Sequence, residues 1–355
     1  MSYTNGLDKP SDYFRTKLYA GNATNNTAIT WDETDTNMQA DLLWFKSRTD
    51  TQTHGIWDSV RGAIKRLIPS STAAEGDEAA DLDSFDTNGF TVDAAANMNG
   101  SSRNFVTWGW KAGTSFTNDA SSTSVGSIDS AGSVNTDAGF SIISHTGTGV
   151  GNTATIAHGL GVAPSMIILK SRDSGDRGWI VYHRSLGAGK KLDLNDTTAA
   201  GTSDANWNGT EPTSSVFSVG TGGDTNTTDA FITYLFAEKK GYSKFGSYTG
   251  NGNADGPMIV TGFKPAFMMV KRAVGGTGSW AITDGKRDTF NAVDNYLSAN
   301  NANAESDFDH ADFLSNGIKF RTNNDGWNLS GDTYIYMAFA ENPFVTSTGV
   351  PATAK

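Results

Sequence analysis

One arrangement of residues occurs three times along the chain. It constrains the fold more than any other feature, because a repeat missed is a fold misread. Three endings match: Phe105-Val-Thr-Trp-Gly-Trp110, Phe231-Ile-Thr-Tyr-Leu-Phe236 and Tyr334-Ile-Tyr-Met-Ala-Phe339. The last two run on into Ala237-Glu238 and Ala340-Glu341. Phe105 and Phe231 are 126 residues apart, and Phe231 and Tyr334 are 103 apart. Three middles also match: Leu42-Leu-Trp-Phe-Lys46-Ser-Arg48, Met166-Ile-Ile-Leu-Lys170-Ser-Arg172 and Phe267-Met-Met-Val-Lys271-Arg272. A tryptophan follows each (Trp57, Trp179, Trp280), with an arginine nearby (Arg61, Arg184, Arg287). The beginnings Phe14 to Gly21, Phe140 to Gly147 and Phe245 to Gly250 each lead into a polar turn. Late in each copy comes another aromatic segment, at 90–92, 217–219 and 318–320. Two of these follow Asn-Gly, a tight-turn signal.

The order of blocks is the same in every copy, so each copy carries a set of strands able to form a core. In the second copy the pattern predicts strands near 140–145, 153–158, 165–171, 178–184, 190–194, 215–220 and 230–238. Seven strands in about a hundred residues is β-sandwich density. The predicted fold is therefore all-β, with three tandem antiparallel β-sandwich units at 1–113, 139–242 and 243–345. The Ser/Gly/Thr-rich stretch 114–138 reads as a linker and 346–355 as a tail. Met166–Leu169 and Phe267–Val270 are apolar at every position, as expected of strands covered on both faces. Only Asp58 to Ile68 has helical spacing, stopped by Pro69.

Composition agrees. Forty glycines and abundant Ser, Thr, Asn and Asp supply turns, while 19 Phe, 10 Tyr and 9 Trp supply apolar bulk that a disordered chain lacks. The net charge of −11 repels phosphate backbones and anionic headgroups, which speaks against nucleic-acid partners and membrane insertion. With no cysteine, disulfides and thiolate metal sites are excluded. The start Met1-Ser-Tyr-Thr-Asn has no basic and apolar signal region, so synthesis in a cytosol is expected.

Chemistry-bearing residues are few. His54, His145, His158, His183 and His310 form no spaced metal signature and are expected at turns or strand edges. Glu211, Glu305 and Glu341 could pair with Asp for glycoside hydrolysis. Glu341 has a counterpart in Glu238, however, and a repeated residue is architectural more often than catalytic. No enzyme is expected. The recurring Lys/Arg pairs read as solvated strand ends, the arginines stacking on the following tryptophans, or else as an anion-binding stripe. Asp81-Leu-Asp83 and Asp307-Phe-Asp309 are weak candidates for oxygen-ligated Ca²⁺ in loops. Trp31, Trp207 and Trp327 sit among polar residues. With Asn206, Asn208 and Asn328 they form a candidate ligand set, in which an exposed indole stacks on a sugar while amides bond its hydroxyls.

Several blocks resemble a known family: His158-Gly-Leu-Gly-Val-Ala-Pro164-Ser-Met-Ile-Ile-Leu-Lys170, Leu235-Phe-Ala-Glu-Lys-Lys-Gly241-Tyr-Ser-Lys-Phe-Gly-Ser-Tyr-Thr-Gly250 and Met337-Ala-Phe-Ala-Glu-Asn-Pro-Phe344. They are similar to blocks of bacteriophage tail-fibre and virion structural proteins, most clearly over residues 138–345. The resemblance implies concanavalin-like or jelly-roll-like sandwiches on the virion surface, assembled as a homotrimer. It implies host attachment through a cell-surface glycan or protein receptor, with other virion proteins as partners and no catalytic residues. A purely architectural virion component (adaptor, head fibre or capsid decoration) is the alternative, and a glycan-degrading tail enzyme the second. No shaft or anchor segment of a long fibre is visible.

Overall fold

The computed structural model describes residues 7–354; Met1 to Gly6 and Lys355 lie outside the described residues. The protein is all-β, and every ladder between its named strands is antiparallel. All seven strands expected in the second copy form, from Phe140–Thr146 to Ala230–Phe236.

Each copy contributes the same four-strand sheet, in the same order. These are Phe14–Ala20, Asn104–Trp110, Leu42–Ser47 and Gly55–Asp58 in the first copy. Phe140–Thr146, Ala230–Phe236, Met166–Ser171 and Trp179–His183 repeat it. Ser243–Thr249, Thr333–Pro343, Phe263–Val274 and Trp280–Asp284 repeat it again. Leu42–Ser47 and Met166–Ser171 are buried along their length because each is paired on both sides and covered on both faces.

Pairing register fixes which residues correspond. Leu42, Met166 and Phe267 face Trp110, Phe236 and Phe339 respectively. Those last three aromatics touch one another, with ring centroids 6.3, 5.7 and 6.0 Å apart. Three equivalent side chains in mutual contact mark a pseudo-threefold axis inside one chain. Around it the three sheets bury one shared core, from Phe14 and Trp44 through Ile168 and Tyr234 to Met269 and Phe339. Behind each sheet lies a second, local core: around Trp57 and Phe90, around Ile167 and Phe217, and around Met268 and Phe320. Strand alternation supplies both, since successive residues face opposite sides.

Register also corrects the sequence alignment. Leu42 to Phe45 pair with Asp58 to Gly55, a register that carried one residue further sets Lys46 opposite position 54, whereas Lys170 faces Trp179 and Lys271 faces Trp280. His54 therefore corresponds to Trp179 and Trp280. Trp57 lies three positions later, an odd offset that turns it to the opposite face and into the local core. Trp179 Nε1 donates to Ile68 O at 3.0 Å and Trp280 Nε1 to Asp193 O at 2.9 Å, so each is tied to the backbone of the preceding copy.

The Lys/Arg pairs are not solvated strand ends. Lys46, Lys170 and Lys271 are fully buried. Lys170 donates to Ser171 O and to Thr72 O of the first copy, and Lys271 to Arg272 O and to Thr197 O of the second. Burial pushes each ammonium down to about 8. The expected stacking on the following tryptophans is absent among the described residues; Arg66 lies over Trp57 and Arg287 over Trp108 instead.

The helix expected at 58–68 is also absent. Asp58 Oδ1 accepts from the backbone of Val60 and Arg61, closing a turn, and Gly62 has φ +99°. The stretch 114–138 is more than a loop. Thr114–Asn118 and Ser130–Asn135 are strands that extend the second sheet outward, with Phe116 and Val134 packed on its local core. At a sheet edge, Ser and Thr suffice, and two apolar anchors hold the pair.

The three interfaces differ in chemistry. Between copies one and two, Asp58, Arg61, Glu75, Arg172 and Tyr234 form one buried network. Between copies three and one, Asp284, Arg287, Glu305, Arg48 and Trp108 occupy the corresponding places. Between copies two and three, those places hold His183, Leu186, Ala200, Ala273 and Met337. The polar set is present whole or replaced whole, because a half-satisfied buried network costs more than an apolar contact.

Candidate functional site

The tryptophans expected as exposed platforms are buried: Trp31, Trp207 and Trp327 are 3%, 2% and 3% exposed. Trp31 Nε1 donates to Met38 O within the first local core. Trp207 ends the short helix Asp204–Trp207 and packs edge-on against Tyr182 in the second. A large indole removes more apolar area from water than neighbouring polar residues can hold in solvent, so it turns inward. Asn206 is buried with it and accepts from Ser203 Oγ, whereas Asn208 is exposed at φ +54°.

Asn328 is fully buried too, and its role is structural. Its Nδ2 donates to Asn251 Oδ1, Asn253 O and Thr322 O, and its Oδ1 accepts from Asn251 N. Asn226 does the same for 148–152, and Asn99 for 22–24. The three asparagines pin the loop after the first strand of each copy. The Asn99, Asn226, Asn328 correspondence was hidden because neighbouring residues differ: Met98, Thr225 and Trp327.

Trp327 does reach a surface feature. A polar recess of about 300 Å³ opens on the third copy, lined by Trp327, Tyr296, Ser279, Asn301, Asn324 and Asp325 among others. His310 stacks on one face of Trp327 at 4.1 Å, and half-buried Tyr296 meets it edge-on at 5.8 Å. The floor is thus a locked aromatic stack, with Tyr296 its accessible member. Trp327 N bonds Asn324 O and Gly326 N bonds Asn324 Oδ1, so the 324–327 turn holds its shape unaided. Burial pushes His310 down to about 4, and its Nδ1–H donates to Phe308 O at 2.7 Å. The imidazole is neutral at physiological pH. The recess thus presents amides, hydroxyls and one carboxylate beside an aromatic ring, a set suited to a polyhydroxylated ligand. Asp-Asn-Tyr-Leu carries no signal in the sequence that this strand borders a recess, so the place of Tyr296 is legible only in the structure.

The remaining candidates lie elsewhere. All five histidines are buried: His54 and His158 flank strands, His145 and His183 lie at strand ends, and His310 is within Ser306–Leu314, each packed as a neutral ring. Asp83 and Asp307 to Asp309 lie in strands, not in loops, and Asp81 is held by Asn97 and Arg66. Among the described residues no group of three or more His, Asp or Glu is placed to hold a metal ion. Glu211 accepts from Tyr182 Oη and Ala188 N, Glu305 lies between Arg48 and Arg287, and Glu341 pairs with Lys264.

The sequence profile of a family described as Domain of unknown function (DUF7483) matches residues 9–343, a single match spanning all three copies. No curated protein and no solved structure matches the chain.

Proposed function

We propose, for a chain that belongs to the family described as Domain of unknown function (DUF7483), a role on the surface of a bacteriophage particle, attaching it to the host by recognising a cell-surface glycan. The observation that carries this reading is the recess on the third copy. Sugars are recognised by an aromatic face beside several hydrogen-bonding side chains, and Tyr296 with Asn301, Asn324 and Asp325 supplies that combination. We read each repeat, inner sheet plus outer layer, as one sandwich unit of the concanavalin-like kind. The block resemblances over 138–345 support placement on a virion tail or appendage and assembly as a homotrimer. Weak single sites would then gain by multivalency. No helix among the described residues is long and apolar enough to cross a membrane.

The test is a glycan array and a host-adsorption assay on the purified protein, beside Tyr296→Ala and Asn324→Ala. Either substitution should cut binding about tenfold, the weight of a lost stacking or hydrogen-bonding contact. Equal binding by both variants would show that the recess is not the site. The architectural alternative rests on another observation, the exposed Met258 and Val260 on the edge strand Met258–Val260. It predicts no glycan binding, and retention on the particle lost in Val260→Lys.

A further inference from the structure

We propose that the cleft between the third and first copies binds an amphipathic zwitterion of amino-acid to dipeptide size, a ligand separate from the glycan. The cleft has a volume of about 510 Å³, within the range of small-molecule sites. It exists because one position departs from the repeat. Thr16, Ile142 and Phe245 face Trp108, Tyr234 and Met337 at corresponding places in their sheets. At the junction of copies two and three, Phe245 fills the space, packed on Phe236 and Phe339 with its amide on Glu238. Ile142 is fully buried in the shared core. At the third junction the side chain is Thr16, and the space stays open.

What lines the opening specifies the ligand. Phe14, Ala266 and Ala340 supply an apolar wall, and Phe290, 78% exposed, extends it. Thr16 is only 4% exposed, yet its Oγ1 has no hydrogen-bond partner. Glu33 Oε2 is buried without a hydrogen bond, 3.7 Å from Arg15 Nε. A buried hydroxyl with no partner, beside a carboxylate oxygen that has an ionic neighbour but no hydrogen bond, calls for a ligand that brings a donor, such as an ammonium. Lys264 and Lys286 add cationic groups to the same lining, paired with Glu341 and Glu33 at 2.9 and 3.4 Å. A ligand carboxylate can share them. An aromatic or branched side chain then takes the volume that Phe245 occupies at the second junction.

The experiment is ligand-observed NMR with L-phenylalanine, the dipeptide Ala-Phe and uncharged N-acetyl-phenylalaninamide on the full chain. Binding of phenylalanine or the dipeptide, at least about tenfold tighter than the uncharged analogue, is expected. Preference between the first two tells a free amino acid from a peptide end. Thr16→Phe restores the residue type of the second junction, so it should fold with an unchanged or raised melting temperature and lose binding. Lys286→Gln, at a half-exposed position, should weaken the charged probes alone. Undiminished binding by Thr16→Phe, equal affinity for the uncharged analogue, or no binding by any probe would overturn the proposal.

Discussion

At the scale of single residues, the buried histidines set the response to acid. Burial lowers His145 to about 3 and His158, His183 and His310 to about 4, and holds His54 well below its ordinary value. A base whose pKa is depressed by folding takes up protons more readily when unfolded. Its contribution is intact above about pH 6.5 and is lost as pH falls toward 4. Asp288 opposes this, since burial raises it to about 6 and the folded state binds its proton first. Burial raises Asp41, Asp81 and Asp193 as well, but carboxylates start from ordinary values near 4, so above about pH 5 the five imidazoles dominate. Stability should fall by several kcal/mol between about pH 6.5 and pH 5. Urea unfolding across that range measures it, and a flat or rising midpoint would refute it. The asparagine hubs belong to this scale too. A buried amide that satisfies several backbone groups cannot be told from a surface amide by sequence, because its partners lie about 75 residues away in the chain.

Among elements, the junctions carry the information. Arg287→Leu alone leaves Asp284 buried without its cation and Glu305 with Arg48 only, and should cost about 3–5 kcal/mol. Replacing the whole set as the second junction has it (Asp284→His, Arg287→Leu, Glu305→Ala, Arg48→Ala, Trp108→Met) should recover most of that loss. Chemical denaturation of the two variants decides the matter. A quintuple variant no more stable than the single one would show that the five positions do not act as a unit. Strand positions were legible because apolar runs and alternation report burial locally. The turn at 58–62 was misread as a helix because Val60, Ile64 and Leu67 have helical spacing while Asp58 and Gly62 close a turn. Spacing alone does not weigh a side-chain cap against a propensity.

For the molecule as a whole, the shared core predicts cooperativity. Trp110, Phe236 and Phe339 meet at the axis, so losing one copy exposes apolar faces of the other two. Calorimetry should show one transition, with calorimetric and van't Hoff enthalpies equal, and a fragment of residues 139–345 should aggregate. Two or three resolved transitions would mean that the local cores are self-sufficient. The cleft beside the first copy arises where the threefold pattern is broken, at Thr16.

The sequence by itself determined the all-β class, the three copies, the strands within them and which apolar runs are doubly covered. Those properties follow from periodicity and composition over a few residues. Only the tertiary structure decided that the copies close around one core, that Trp31, Trp207 and Trp327 point inward, and that position 54 takes the place of a tryptophan. Each of these depends on which distant strand lies opposite. A shift by an odd number of residues sends a side chain to the other face, and nothing within a single strand records that choice.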